Sequence, residues 1–244
     1  MSFAGKNVWI IGASAGIGAA LARALSAQGA QLTVSARDAQ ALETLARDCP
    51  GARVLPLDLG QPETLDAAAR LIPENSLDAV ICTAALYDPG RVADLDRVRT
   101  RALVQVNLLG TFEVARLAPP LLKHGGQLVL FGSVAGYIGL PGGQAYSATK
   151  AAVNNLAETL RIELAPRVDV RLVCPGFVRS RLTDRNRFDM PAIITAEEAA
   201  QQTLRGMQGR GFEIHYPKRF TRAMKLLRAL PYGLSLRLTA RLSS

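Results

Sequence analysis

Ser133, Tyr146 and Lys150 stand as Ser-x12-Tyr-x3-Lys within GSVAGYIGLPGGQAYSATKAAV, a spacing suited to donating a proton to a carbonyl. Residues 146–163 read as a helix, which puts Tyr146 and Lys150 at i and i+4 on one face with the ammonium near the phenol. A neighbouring positive charge stabilises phenolate, so the spacing predicts a tyrosine pKa lowered from about 10 toward working pH. Such a group serves as a general acid or base. Ser133 follows an apolar run, 127–131, that reads as a buried strand, so its hydroxyl belongs at the rim where open parallel sheets hold ligands. There it can polarise a carbonyl oxygen. Tyr-x3-Lys is also common on the solvated faces of ordinary helices, and its weight here comes from a second motif.

That motif lies near the start of the chain. Asn7-Val8-Trp9-Ile10-Ile11 is a short apolar run, followed by Gly12-Ala-Ser14-Ala-Gly16-Ile17-Gly18 and then by AALARALSAQG with helical periodicity. The order is strand, glycine turn, helix. Glycines allow the tight turn and a close backbone approach to a pyrophosphate, whose charge is favoured by the N–H groups and dipole of the helix start. A lone glycine-rich stretch is often only a turn; this one has the flanks the mechanism requires.

With Gly-x3-Gly-x-Gly and Ser, Tyr, Lys in this order, residues 6–216 resemble the single-domain short-chain dehydrogenase/reductase family. The resemblance implies a Rossmann-like doubly wound α/β fold, a parallel sheet of about seven strands with helices on both faces. It also implies a carbonyl/alcohol oxidoreductase with Asn107, in VQVNLLGTF, completing a catalytic tetrad as part of a proton relay. Lys150 and Tyr146 are implied to contact the cofactor as well. Asp58-Leu59 looks like the adenine-contacting pair, and Pro175-Gly176-Phe177-Val178 like the segment beside the nicotinamide. Gly12, Ser14, Gly16, Ile17, Gly18 and Ala84 complete the implied cofactor set. Two positions depart from the pattern. Ile11 replaces the threonine before the first glycine, and Cys82-Thr83-Ala84-Ala85 replaces Asn-Asn-Ala-Gly, which is expected to weaken the bracing of the sheet. Ala85 in place of glycine is expected to restrict the backbone beside the adenosine ribose.

Cofactor choice is read at the end of the second strand, residues 32–37. An NAD site places a carboxylate there for the ribose 2′-hydroxyl, and that carboxylate would repel a 2′-phosphate. Here Ala36 takes that place and Arg37 follows. A guanidinium pairs with phosphate in a bidentate fork, so NADP (NADPH) is expected over NAD.

The elements that must position these groups alternate between strand and helix. Beyond the first unit the pattern predicts a strand at 53–57, a helix at 63–71, a strand at 77–82 and a long helix at 94–118 stopped by Pro119-Pro120. The catalytic helix and a strand at 169–174 complete the set. Repeated βα units imply a parallel sheet covered on both faces. With 244 residues, 49% of them hydrophobic, the chain can bury one large core. Cys49, Cys82 and Cys174 form no metal spacing and fit a reduced, cytoplasmic setting. No signal-like start and no apolar stretch of about 18 residues is present, so neither a leader nor a membrane span is expected.

Residues 177–197 break the pattern and correspond to the family's lid over the substrate. Arg179, Arg181, Arg185 and Arg187 there either attract an anionic substrate group or face water and pair partly with Asp184 and Asp189. The formal charge is +9, of which residues 218–244 supply +7: Lys218, Arg219, Arg222, Lys225, Arg228, Arg237 and Arg241, with no acid. The domain is therefore divided as 1–217, nearly neutral, and a basic amphipathic extension at 218–244. Phe220, Ala223, Met224, Leu226, Leu227 and Leu230 recur at helical spacing, and Pro231 separates them from Leu234, Leu236, Leu238 and Leu242. Such a segment suits packing on protein, or peripheral contact with an anionic membrane. It does not suit nucleic acid, because no aromatic platform accompanies the charge. An apolar tail near the lid also suits a hydrophobic, lipid-like carbonyl substrate. The resemblance further implies a homo-oligomer, dimer or tetramer, paired through the fourth and fifth helices. Two other classes stay open: a dinucleotide-binding sensor, which commonly loses the tyrosine or lysine, and a sugar-nucleotide epimerase, for whose larger C-terminal domain there is no room.

Overall fold

A computed structural model describes residues 2–185 and 190–240. Arg187, Asp189, Arg241 and Leu242 lie outside the described residues. Seven parallel strands form one sheet in the order β3-β2-β1-β4-β5-β6-β7. They are β1 (Asn7–Ile11), β2 (Gln31–Ser35), β3 (Arg53–Val54), β4 (Leu77–Cys82), β5 (Leu122–Phe131), β6 (Val168–Pro175) and β7 (Glu213–Tyr216). Helices α1 (Gly16–Ser26), α2 (Ala39–Asp48), α3 (Pro62–Arg70), α4 (Arg97–Val104), α5 (Gly110–Leu121), α6 (Gln144–Glu163) and α7 (Ala196–Gln208) connect them. The order reverses between β1 and β4, which opens a crevice at the carboxyl ends of those two strands.

Burial on both faces explains the unbroken apolar runs of the strands. In β1, Val8 and Ile10 join a core with Leu21, Leu25, Leu204 and Met207, whereas Trp9 and Ile11 join the opposite one with Leu65, Leu128 and Val153. Trp9 keeps its indole donor satisfied by Ser35 Oγ at 2.8 Å, inside the sheet.

Several boundaries differ from expectation for local reasons. The long helix at 94–118 is two helices: Asp96 caps α4 by accepting from Arg99 N at 2.8 Å, and a wider, π-type turn at Gln105–Leu109 joins it to α5. Pro119 and Pro120 lie inside the last turn of α5 rather than beyond it, and the helix ends at Leu121. β3 is short, although Leu55 N and Leu57 N continue the pairing to Val34 O and Ala36 O at 3.0 and 3.2 Å. β5 starts at Leu122, because Leu77 of β4 pairs with it across a register shift.

The C-terminal extension forms α8 (Lys218–Ala229) and α9 (Tyr232–Ala240). Met224 of α8 is buried, and Phe220 and Leu227 pack with it on Val134 and Ile138, while Ala223 and Leu226 of the same expected stripe are exposed.

Candidate active site

The first site element is the glycine turn between β1 and α1. Gly12 has φ +95°, and a Cβ there would come within 2.5 Å of Ala84 N; a Cβ on Gly18 would lie 2.2 Å from Gly12 O. Only glycine fits either place. Ala15 precedes α1 as its cap residue and offers no side-chain acceptor to the first N–H groups of the helix, at Gly16, Ile17 and Gly18. Backbone donors of this kind suit phosphate. Ser14 is half-buried in the turn.

The two departures in sequence prove to be a pair. Ile11 is fully buried in the core, and Thr83 at the end of β4 reaches back with its hydroxyl to Ile11 O and Gly12 O, both at 3.1 Å, while its N–H donates to Ile11 O at 2.8 Å. The hydroxyl brace that Ile11 lacks comes from the neighbouring strand. Ala85 is not among the residues with positive φ, so it strains no backbone.

Around the turn, Arg37 is exposed at the end of β2 with no ion pair among the described residues, and Ala36 beside it is buried. The Asp58 carboxylate accepts from Gly60 N at 2.8 Å, and Leu59 is buried against Gly110. On the far side of the crevice, Gly176 N donates to Tyr216 O at 2.7 Å just past Pro175, the last residue of β6. Val178 is buried and forms a parallel bridge with Ile194, which closes the base of the expected lid. Arg179 and Arg181 are exposed and make no ion pair with Asp184 among the described residues. These residues fit a dinucleotide: a cradle without Cβ atoms, an uncapped helix start, and a cation where an acid would reject a 2′-phosphate.

Ser133, Tyr146 and Lys150 converge at the carboxyl end of β5. Ser133 is buried, and its hydroxyl accepts from Ala135 N at 3.1 Å and acts on the Tyr146 phenol to lower its pKa. Tyr146 and Lys150 share one face of α6, with Lys150 Nζ 5.8 Å from the ring centroid. The lysine's hydrogen bond does not go to the phenol that the spacing suggests. Its ammonium instead donates to Phe131 O at 2.7 Å, a main-chain acceptor invisible to a helical-wheel argument. Burial pushes Tyr146 up to about 12, opposed by the Ser133 hydrogen bond, and pushes Lys150 down to about 8. Desolvation thus outweighs the attraction between charges that was expected to lower the tyrosine.

Asn107 sits fully buried in the π-type turn, and its side chain is committed elsewhere than Lys150. Its Oδ1 accepts from Leu86 N at 2.7 Å and its Nδ2 donates to Leu86 O at 2.8 Å, so it clamps the segment after β4. Sequence reasoning missed what that segment carries. Tyr87 meets the Tyr146 ring edge-on at 4.8 Å between centroids. It also helps line a cavity of about 220 Å³ with Leu86, Asp88, Arg99, Leu103 and Leu182. A larger cleft of about 340 Å³, lined by Asn7, Gln31, Arg53 and Ser76, lies at the amino ends of β1 and β2 and has none of this chemistry.

Two further links were not foreseen. Gly136, in the turn after Ser133, lies so close to α6 that a Cβ would be 2.7 Å from Lys150 O. Tyr137 then donates its hydroxyl to Glu213 of β7, whose other oxygen accepts from Lys225 of α8, with Lys225 Nζ 5.7 Å from the Tyr137 centroid. Burial alone would raise the Glu213 carboxyl, but the hydrogen bonds from Lys225 and Tyr137 prevail and hold it below its usual range. The cysteines are buried, with Cys82 raised to about 11 and Cys174 to about 12 by burial, so neither thiol is a nucleophile at neutral pH. Among the described residues no group of three or more His, Cys, Asp or Glu is placed to hold a metal.

A glycine turn suited to phosphate at the switch point of a doubly wound sheet, with half-buried Tyr146 and buried Lys150 beside it, fits a dinucleotide-dependent oxidoreductase. The short chain dehydrogenase family matches residues 6–190, and the chain belongs to that family. An uncharacterized oxidoreductase of Myxococcus xanthus is 30% identical over 236 residues, covering 93% of each chain. The 11-beta-hydroxysteroid dehydrogenase-like protein 4A of Arabidopsis thaliana is 31% identical over 81% of this chain and 70% of its own length. Among solved structures, a short chain dehydrogenase from Burkholderia cenocepacia in complex with NADP superposes with a TM-score of 0.86 at 28% identity, covering both chains fully.

Proposed function

We propose that this oxidoreductase uses NADP(H) to interconvert a ketone or aldehyde and an alcohol, through Ser133, Tyr146, Lys150 and Asn107. The observation that carries the reading is the convergence of Ser133 and Tyr146 over buried Lys150, beside the glycine turn. Bound in the crevice, the nicotinamide supplies or takes the hydride. Ser133 holds the substrate oxygen, and Tyr146 delivers the proton to it. A phenol raised to about 12 is fully protonated at neutral pH and so is poised as a donor, which suits reduction. Lys150 binds the nicotinamide ribose, and Asn107 keeps the Leu86–Tyr87 segment in place against Tyr146 and lies on the relay between Lys150 and solvent.

Arg37 supports NADP over NAD, as does the NADP complex of the Burkholderia relative. The apolar lining from Leu86, Tyr87, Leu103 and Leu182 supports a hydrophobic carbonyl compound, in keeping with the hydroxysteroid name of the Arabidopsis relative. We read residues up to 217 as the catalytic unit, 177–197 as its lid, and α4–α5 as the surface through which copies of the chain pair. Exposed Val98, Leu109 and Phe112 support that surface.

The test is NADPH oxidation across aldehydes, ketones and hydrophobic keto compounds, with NADH in parallel and Tyr146→Phe as control. The variant is expected to bind NADPH normally and to lose turnover by at least about a hundredfold. Equal turnover in the variant would overturn the assignment. NADPH binding by the native protein without turnover on any compound would favour a sensor.

A further inference from the structure

The extension is built the reverse way from a water-facing helix pair. α8 packs one face on the body through Phe220, Met224 and Leu227 and leaves Arg219, Arg222, Leu226 and Arg228 exposed. In α9 the buried residues are Ser235, 1% exposed, and Thr239, 3% exposed. Their hydroxyls are satisfied by the helix itself, at Tyr232 O and Ser235 O. Leu234, Leu236 and Leu238 point outward, Leu236 at 53% and Tyr232 at 65% exposure. A helix packed for water puts leucines in and hydroxyls out. This one presents its apolar side chains to the outside medium.

The surrounding charge says what that medium is. Residues 218–240 contain Lys218, Arg219, Arg222, Lys225, Arg228 and Arg237 and no acid. Of these, Lys225 alone forms an ion pair among the described residues, with Glu213. Arg228 bonds the Tyr232 hydroxyl at 3.2 Å and lies 6.0 Å from its ring centroid, which joins the two helices into one surface. A second copy meeting this face about a two-fold axis would set the same arginines against each other with no carboxylate on either helix to pair them. Lipid phosphates supply the missing charge, and acyl chains cover the leucines.

We infer that the α8–α9 face docks peripherally on an anionic lipid surface, with Leu226, Tyr232, Leu234, Leu236 and Leu238 at the acyl boundary and the arginines among the headgroups. The inference goes beyond the reductase reading and does not depend on it. The opposite, inward face of α8 reaches the segment after β6, where Phe220 meets Phe177 with ring centroids 5.6 Å apart.

Flotation of the full chain with phosphatidylglycerol/phosphatidylcholine vesicles, against phosphatidylcholine alone, tests it. The chain is expected to float with the anionic vesicles only. Replacing Leu234, Leu236 and Leu238 together by Ser is expected to cut that binding on the order of tenfold or more, with NADPH binding unchanged as the check on folding. Arg222→Gln with Arg237→Gln, a milder surface change, is expected to weaken it as well. Absence of flotation, equal flotation with neutral vesicles, or undiminished binding by both variants would each overturn the inference. So would a chain that stays off vesicles but falls in mass by light scattering when the leucines are replaced, because a second copy then covers the face. None of these readings involves turnover, so they stand or fall apart from the reductase assignment.

Discussion

Lys150 is a buried cation held by one main-chain carbonyl and flanked by a tyrosine that stays protonated. Its pKa is lowered from 10.5 to about 8 in the fold, so between those values the unfolded chain binds more protons than the native one. Stability from this group is therefore lost as pH falls through about 8 and recovered as pH rises toward 10.5. Lys150→Met removes the penalty. The variant is expected to melt higher than the native protein at neutral pH, by on the order of 1–3 kcal/mol. That advantage should shrink as the pH of the melt is raised, while turnover is abolished; calorimetry over a pH series checks both. A variant that melts lower at every pH would show that the Phe131 hydrogen bond outweighs desolvation. That Ser133, Tyr146 and Lys150 come together was legible because their spacing is characteristic. The direction of the lysine was not, since its acceptor belongs to another strand.

At the scale of elements, the glycine turn is held by β4 as much as by its own loop. Thr83→Val keeps the shape and removes the hydroxyl that serves Ile11 O and Gly12 O. A loss of about 1 kcal/mol is expected, seen as a lower urea midpoint, together with weaker NADPH binding in fluorescence titration. Unchanged affinity would mean that the turn holds itself. The strand-turn-helix unit could be read from 25 consecutive residues or so, because periodicity and glycine spacing are local signals. The exchange of threonine between β1 and β4 could not, because positions 11 and 83 meet only once the sheet is formed. Similarly, the apolar pattern of 94–118 runs through the π-type turn without a break, which hides the two helices; Asp96 was the one local sign.

The whole molecule separates its functions by surface. Chemistry sits at the carboxyl ends of the strands, uncompensated charge lies on the last two helices, and exposed Val98, Leu109 and Phe112 mark α4–α5. If copies pair through α4–α5 as proposed, Phe112→Glu should give lighter species by light scattering than the native chain, with the melting temperature of the isolated chain little altered. An unchanged mass would place the pairing surface elsewhere. The sheet and its helical cover were legible from the alternation of elements, and the excess charge from composition. What composition could not give was the inward turn of Ser235 and Thr239, which depends on how α9 settles against α8.

The chain of contacts from Lys225 through Glu213 to Tyr137 also has a mechanical meaning. Glu213 ties α8 to β7 and, through Tyr137, to the turn that begins at Ser133. A displacement of the extension would therefore load the last strand and the serine turn together.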